Sequence, residues 1–442
     1  MPRSIAKRPP LQGVFRAPGS KPETQRALIM GTLADGRTSL HSPLVSRETE
    51  LMADACRALG AEITRTGDRI DIVGADPWRT ANGTGYVWAG GSALIARVCA
   101  VIGSALPGRL IVDGTCSLRE RPFGPLFEVL AGKGVGFLFP GAPGRPPFAT
   151  LSDSLPGGRY DLDTTVSSQF ATALLIAAPL AADPLRLRLR GPLYSMSYIR
   201  QTVEMMSRFG VPVQEAPGMR ELTVPGGKRY QARTLRLTGD YTSASYLMGA
   251  AAVTRGRVTV TNLDPHSAQG ERTIVGILTE LGARVHRLDG DGSVTIDCGD
   301  LTGAADADFD LRDCPNILPT VAAVAATVPG RIRITGGRLT QHHKSPRIAA
   351  MATELHRVGI PVALVTDREG TVDGLDIRGR VSHEGDADFS DHGDHRILMA
   401  TVLLGLAGRR PCRIGDAADT ADSFPAFMNL LDLDAEVFAE ER

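Results

Sequence analysis

Residues 274–285 read IVGILTELGARV: apolar residues at helical spacing, then Gly282, then a short run opening on an apolar residue. The spacing predicts an amphipathic helix, the glycine its left-handed C-cap, and the residues after it the start of a strand. The same plan recurs as LMADACRALGAEI (51–63), PLFEVLAGKGVGFL (125–138), TVEMMSRFGVPV (202–213) and AAMATELHRVGIPV (349–362). A looser sixth copy, FPAFMNLLDLDAEV (424–437), has Asp434 where the glycine would stand. The glycines at 60, 134, 210, 282 and 359 are spaced by 74, 76, 72 and 77 residues. Helix–Gly–strand is common in α/β chains, but six near-even copies filling one chain are an internal repeat.

Short β-like runs lie between the helices: RLIVDG, RLRLRG, RVTVTN, RIRITG and CRIGDA, each after a Gly- or Pro-rich break. The reading is six βαβ-type repeats, three in each of two domains, as a 442-residue chain requires more than one core. The chain crosses between domains at Gly19–Lys21 and again at Gly239–Asp240, giving 1–18 plus 240–442 as one domain and 19–239 as the other. Ligand sites favour clefts between domains. The 49 basic and 49 acidic residues cancel, which argues against nucleic acid as a partner and leaves any positive field local. The opening MPRSIAKRPPLQG has no apolar core, and no apolar run reaches membrane-spanning length. Six scattered cysteines without C-x-x-C spacing argue against a metal site or a disulfide framework, so a cytoplasmic monomer is expected.

In APGSKPETQRALIM (17–30), a Pro-Gly break leads into a helix carrying Lys21 and Arg26. Taken alone this is a solvated first turn or an anion site, since a helix N-terminus offers unpaired N–H groups. Other motifs decide. GSKPETQRAL (19–28), RERPFGPL (119–126), VSSQFATALLIAAPLA (166–181), SMSYIRQTVEMMSRFGV (195–211), GDYTSASYLMGAAA (239–252), MATELHRVGI (351–360), DHRILMA (394–400) and DTADSFPAF (419–427) run collinear with a known family. Together they resemble the 5-enolpyruvylshikimate-3-phosphate synthases, the 3-phosphoshikimate 1-carboxyvinyltransferases. The resemblance implies a two-domain inverse α/β barrel-like fold and transfer of the enolpyruvyl group of phosphoenolpyruvate to shikimate 3-phosphate, without cofactor or metal. It implies that Lys21 touches phosphoenolpyruvate, and that Arg26 holds the shikimate carboxylate. Ser167, Ser168 and Ser195 would take the 3-phosphate, Gln169 would bridge both ligands, and Tyr198 would lie beside the ring. Arg121, Arg347 and Arg396 would clamp phosphoenolpyruvate, with His395 alongside.

The sequence also departs from the family pattern. Its K-E-x-D-R motif reads His343-Lys344-Ser345-Pro346-Arg347, so a carboxylate becomes Lys344. The catalytic aspartate falls on Asn316, a late phosphate-binding lysine on Asp422, an arginine on Ile95, and a serine on Pro22. Asparagine cannot accept a proton at neutral pH, so another base is needed. Lys344 fits that role if neighbouring cations depress its pKa, with His343 as the other option. Three readings follow: enolpyruvyl transfer with a rebuilt base, elimination of phosphate from shikimate 3-phosphate, and a catalytically silent shikimate 3-phosphate-binding protein. Cys116, in CSLRERP (116–122), matches a general-acid cysteine of the sister UDP-N-acetylglucosamine enolpyruvyl transferases; the plainer reading is a small half-buried residue.

Overall fold

The computed structural model describes residues 3–75, 84–288, 292–299, 301 and 306–431. Contacts divide the chain into two units, one of 1–18, 239–267 and 271–442, the other of 19–238 and 268–270. All five repeat glycines end their helices at positive φ, between 72° and 105°. Past them the chain turns into strands or extended segments, as a left-handed cap allows.

The repeat is larger than βαβ. In the second unit, Gly158–Asp163 and Leu185–Arg190 pair parallel, joined by the helix Gln169–Ala177. A second helix, Met196–Arg208, then leads to Gln214–Glu215 and Glu221–Val224, which close the sheet antiparallel. Each complete copy is therefore β-α-β-α-β-β, with one parallel pair that needs a helical crossover. Two more sheets of this order lie in that unit and two in the first. The sixth copy is reduced: Arg3–Ile5 pairs antiparallel with Cys412–Ile414, and the segment 424–437 contributes the short helix Phe427–Leu430. Residues 432–437 of that copy lie outside the described residues.

The glycine-capped helices are the amphipathic half of each copy. The other half is buried along its length: Ala93–Ala105, Tyr241–Thr254, Leu318–Ala325 and His395–Ala407 expose no residue. A helix apolar all round belongs inside a core. In the first unit three of these helices close around Gly249, where a Cβ would stand 2.9 Å from Leu403 Cδ1 and 3.0 Å from Thr320 Cγ2. None of the described helices is long and apolar enough to cross a membrane.

Because neighbouring helices already touch at Gly249, Gly249→Val should overpack the first unit and cost about 1–3 kcal/mol. Chemical denaturation of wild type and variant measures this, and a matching Gly276→Val change, where nothing stands within 4 Å of a Cβ, is the control for helix propensity.

Candidate functional site

Most of the sequence-predicted residues sit at helix N-termini, where free N–H groups and the helix dipole favour anions. Lys21 and Gln169 each open a buried helix, His395 and Arg396 open another, and Arg347 opens an amphipathic one. The turn leading into the first of these, and the one leading into the buried helix Tyr241–Thr254, leave no room for a side chain. A Cβ on Gly19 would lie 2.4 Å from Ser42 O, and one on Gly239 would lie 2.4 Å from Asn262 O. Ser20 and Asp240 then cap the helices that follow.

The second unit gathers one group. Arg26 Nε donates to Thr202 Oγ1 at 2.9 Å and its Nη2 to Tyr198 O at 2.9 Å, tying the helix Lys21–Thr32 to Met196–Arg208. Ser195 stands at the N-cap position of the latter helix in a left-handed conformation, φ 54°, without a side-chain capping bond. Lys21 Nζ is 3.0 Å from Glu48 Oε2, both largely buried.

Sequence reading missed the centre of this group. Arg97, 2% exposed, donates from Nη1 to Ser167 Oγ at 2.9 Å and to Gln169 Oε1 at 2.7 Å, and from Nη2 to Pro122 O at 2.8 Å. Its guanidinium lies 5.0 Å from the Phe123 ring centre and 4.5 Å from that of Phe170. Among the described residues no carboxylate pairs with it. Burial, and then the charge of Arg121, push its pKa well below the ordinary arginine value. The motif comparison put Ile95 at the arginine position; the guanidinium enters two residues later, from within the apolar run ALIARVCAVIGSA. Cys116 is exposed at the start of a single helical turn, not half-buried.

The first unit gathers the other group around Asp394. Arg347 Nε donates to Asp394 Oδ2 at 2.7 Å and Nη2 to Oδ1 at 3.3 Å, while Ser345 Oγ lies 3.3 Å from Oδ2. The same carboxylate caps the helix His395–Ala407 through Arg396 N at 2.9 Å. Burial alone raises the Asp394 pKa; Arg347, His395 and the hydrogen bonds outweigh it and hold the carboxyl far below the usual range. Arg347 Nη1 also donates to Asn316 Oδ1 at 2.8 Å and to His343 Nδ1 at 3.0 Å. Asn316 and His343 are thus both anchored on an arginine.

Lys344 is a base only on the condition that neighbouring cations depress its pKa, and its contact with Asp422 is of the opposite kind. Lys344 Nζ lies 2.5 Å from Asp422 Oδ2, and a carboxylate favours the charged ammonium. Positions 344 and 422, each opposite in sign to the motif pattern, are one another's partners. Asp422 Oδ2 is also 3.9 Å from His395 Nδ1.

The family model described as EPSP synthase (3-phosphoshikimate 1-carboxyvinyltransferase) matches residues 5–431. The enzyme of that second name from Methanoculleus marisnigri is 37% identical over 429 residues, covering 97% of this chain and 98% of its own. Its counterpart from Methanothermobacter thermautotrophicus is 34% identical over 436 residues, 97% of each chain. Among solved structures, an EPSP synthase from Acinetobacter baumannii superposes with a TM-score of 0.78 at 23% identity, over 98% of this chain and 97% of that one. At that identity the likeness speaks for the shared fold, a two-domain inside-out α/β arrangement.

Replacing Asp394 by asparagine would leave a buried guanidinium without its counter-charge, so Asp394→Asn should cost about 3–5 kcal/mol in urea unfolding. The folded-state pKa of Asp394 is depressed. Its contribution is therefore whole above the unfolded carboxylate value of about 4 and is lost as pH falls below that. The wild-type advantage over the variant should stay constant from pH 7 to about 5 and shrink in stronger acid.

Proposed function

The chain belongs to the EPSP synthase (3-phosphoshikimate 1-carboxyvinyltransferase) family, and we propose that it transfers the enolpyruvyl group of phosphoenolpyruvate to the 5-hydroxyl of shikimate 3-phosphate. The observation that carries this reading is the retained donor set: Arg347, whose guanidinium is held by Asp394; Arg396, whose backbone N–H the same carboxylate caps; and the Arg97–Ser167–Gln169 cluster. A carboxylate and a phosphate are the ligands that guanidinium forks and helix N-termini suit.

In this reading Ser167, Ser168 and Ser195 bind the 3-phosphate, Arg26 the ring carboxylate, and Tyr198 the ring. Gln169 lies beside both ligands. Arg97 braces Ser167 and Gln169 and supplies the charge that a dianion entering a buried pocket requires. Lys21, Arg121, Arg347 and Arg396 bind the donor. Transfer requires a proton on the donor's methylene carbon as the acceptor hydroxyl adds, then loss of one proton from the resulting methyl group and of phosphate.

The test is phosphate release and product mass with both substrates and with each alone. Phosphate should appear only with both, together with the carboxyvinyl ether. Release from shikimate 3-phosphate alone would support elimination and overturn transfer; binding without turnover would leave a silent binder. Shikimate 3-phosphate should bind far more tightly than shikimate by calorimetry, each lost charge-assisted bond costing ~1.5–3 kcal/mol. Arg97→Met should erase most of that preference, and Arg97→Lys should restore part of it.

A further inference from the structure

The transfer reading leaves the methyl group of the adduct without a base to take its proton. The first unit's cluster contains two carboxylates, and their surroundings divide them. Asp394 is fully buried and braced by Arg347, Ser345 and the N–H of Arg396, so it stays charged and has no capacity for proton exchange. Asp422 is 12% exposed and its partner Lys344 18%, against 0% for Asp394 and 4% for Arg347, so this largely buried pair is the less sealed part of the cluster. Asn316 is neutral and held by Arg347. The contact of 2.5 Å between Lys344 Nζ and Asp422 Oδ2 joins an anion-binding group to a proton-binding one.

We propose that these two residues divide the donor chemistry: Lys344 binds the donor's phosphate, and Asp422 is the base of the eliminating step. An arriving phosphate competes for the Lys344 ammonium. As that contact loosens, Asp422 Oδ2 is released from the ammonium and can meet the adduct. After the acceptor hydroxyl has added, Asp422 Oδ2 takes a proton from the adduct's methyl carbon. The C–H electron pair becomes the new C=C bond, the C–O bond to phosphate breaks, and phosphate leaves with that bond's electrons. The proton on Asp422 then passes to solvent. His395, 3.9 Å from the same oxygen, flanks the carboxylate. The proposal rests on the transfer reading above.

The experiment uses the full chain with three variants, Asp422→Asn, Asp422→Glu and Lys344→Met, and both substrates. Asp422→Asn should lower kcat at least about a hundredfold with the donor KM nearly unchanged, as for loss of a general base. Deuterium on the donor's methylene should slow this variant more than wild type, because C–H cleavage becomes limiting. Asp422→Glu should recover part of kcat. Lys344→Met should raise the donor KM about tenfold or more while kcat changes less. Melting curves establish that each variant is folded. A merely structural ion pair would shift both variants alike and leave the isotope effect unmoved; that result, or an Asp422→Asn kcat within about threefold of wild type, overturns the proposal while leaving transfer standing. A wild-type protein that makes no carboxyvinyl ether overturns the transfer reading, and this proposal with it.

Discussion

One carboxylate cut off from water fixes the first unit's functional end. Asp394 is a helix cap, the counter-ion of Arg347 and the neighbour of His395. Each role depends on the others. A buried arginine without a carboxylate would be too costly to keep, and a buried carboxylate without Arg347 would take up a proton and lose its grip on the helix. Since Arg347 in turn holds Asn316 and His343, three chain segments between 316 and 396 take their positions from one ion pair. The second unit solves the same problem without a carboxylate at its centre. Arg97 rests on neutral oxygens and two aromatic faces, and so keeps a net charge to offer.

Both units bury whole helices and set the candidate site residues where those helices begin. A helix sealed along its sides leaves its first N–H groups as the polar end that a ligand meets. That placement explains why Lys21, Gln169, His395 and Arg396 are all first-turn residues. It also explains the bare glycines at 19 and 239: the turn before each helix packs so closely on neighbouring backbone that a methyl group does not fit.

What was legible in the sequence follows from the same division. The amphipathic helices announce themselves by period, and their glycine caps by spacing, so the repeat was visible. Most of the buried helices lack a polar face to mark their period, and ALIARVCAVIGSA reads as undifferentiated core; Arg97 was hidden inside it. The motif residues were legible because they cluster locally. The partnership of Lys344 with Asp422 was not, because it joins residues 78 apart that only the folded chain brings together. Read singly, each looked like the loss of a functional group; as a pair they are an exchange of sign. Of the sixth repeat, the strand in CRIGDA and the short helix Phe427–Leu430 were legible, but the pairing of Cys412–Ile414 with Arg3–Ile5, some 409 positions away, leaves no local trace.

That last pairing has a consequence for how the protein is made. The strand Gln12–Arg16 lies parallel to Arg257–Thr261, whose residues are translated about 245 positions later. At ~5–20 residues per second this is a wait on the order of 12–50 s. Arg3–Ile5 waits longer still, until Cys412–Ile414 has emerged. The second unit is an insertion whose residues 19–238 are all present before either partner appears. On the ribosome the inserted unit is therefore the first able to collapse. The strand Gln12–Arg16 remains unpaired until Arg257–Thr261 has emerged, and Arg3–Ile5 until Cys412–Ile414 has.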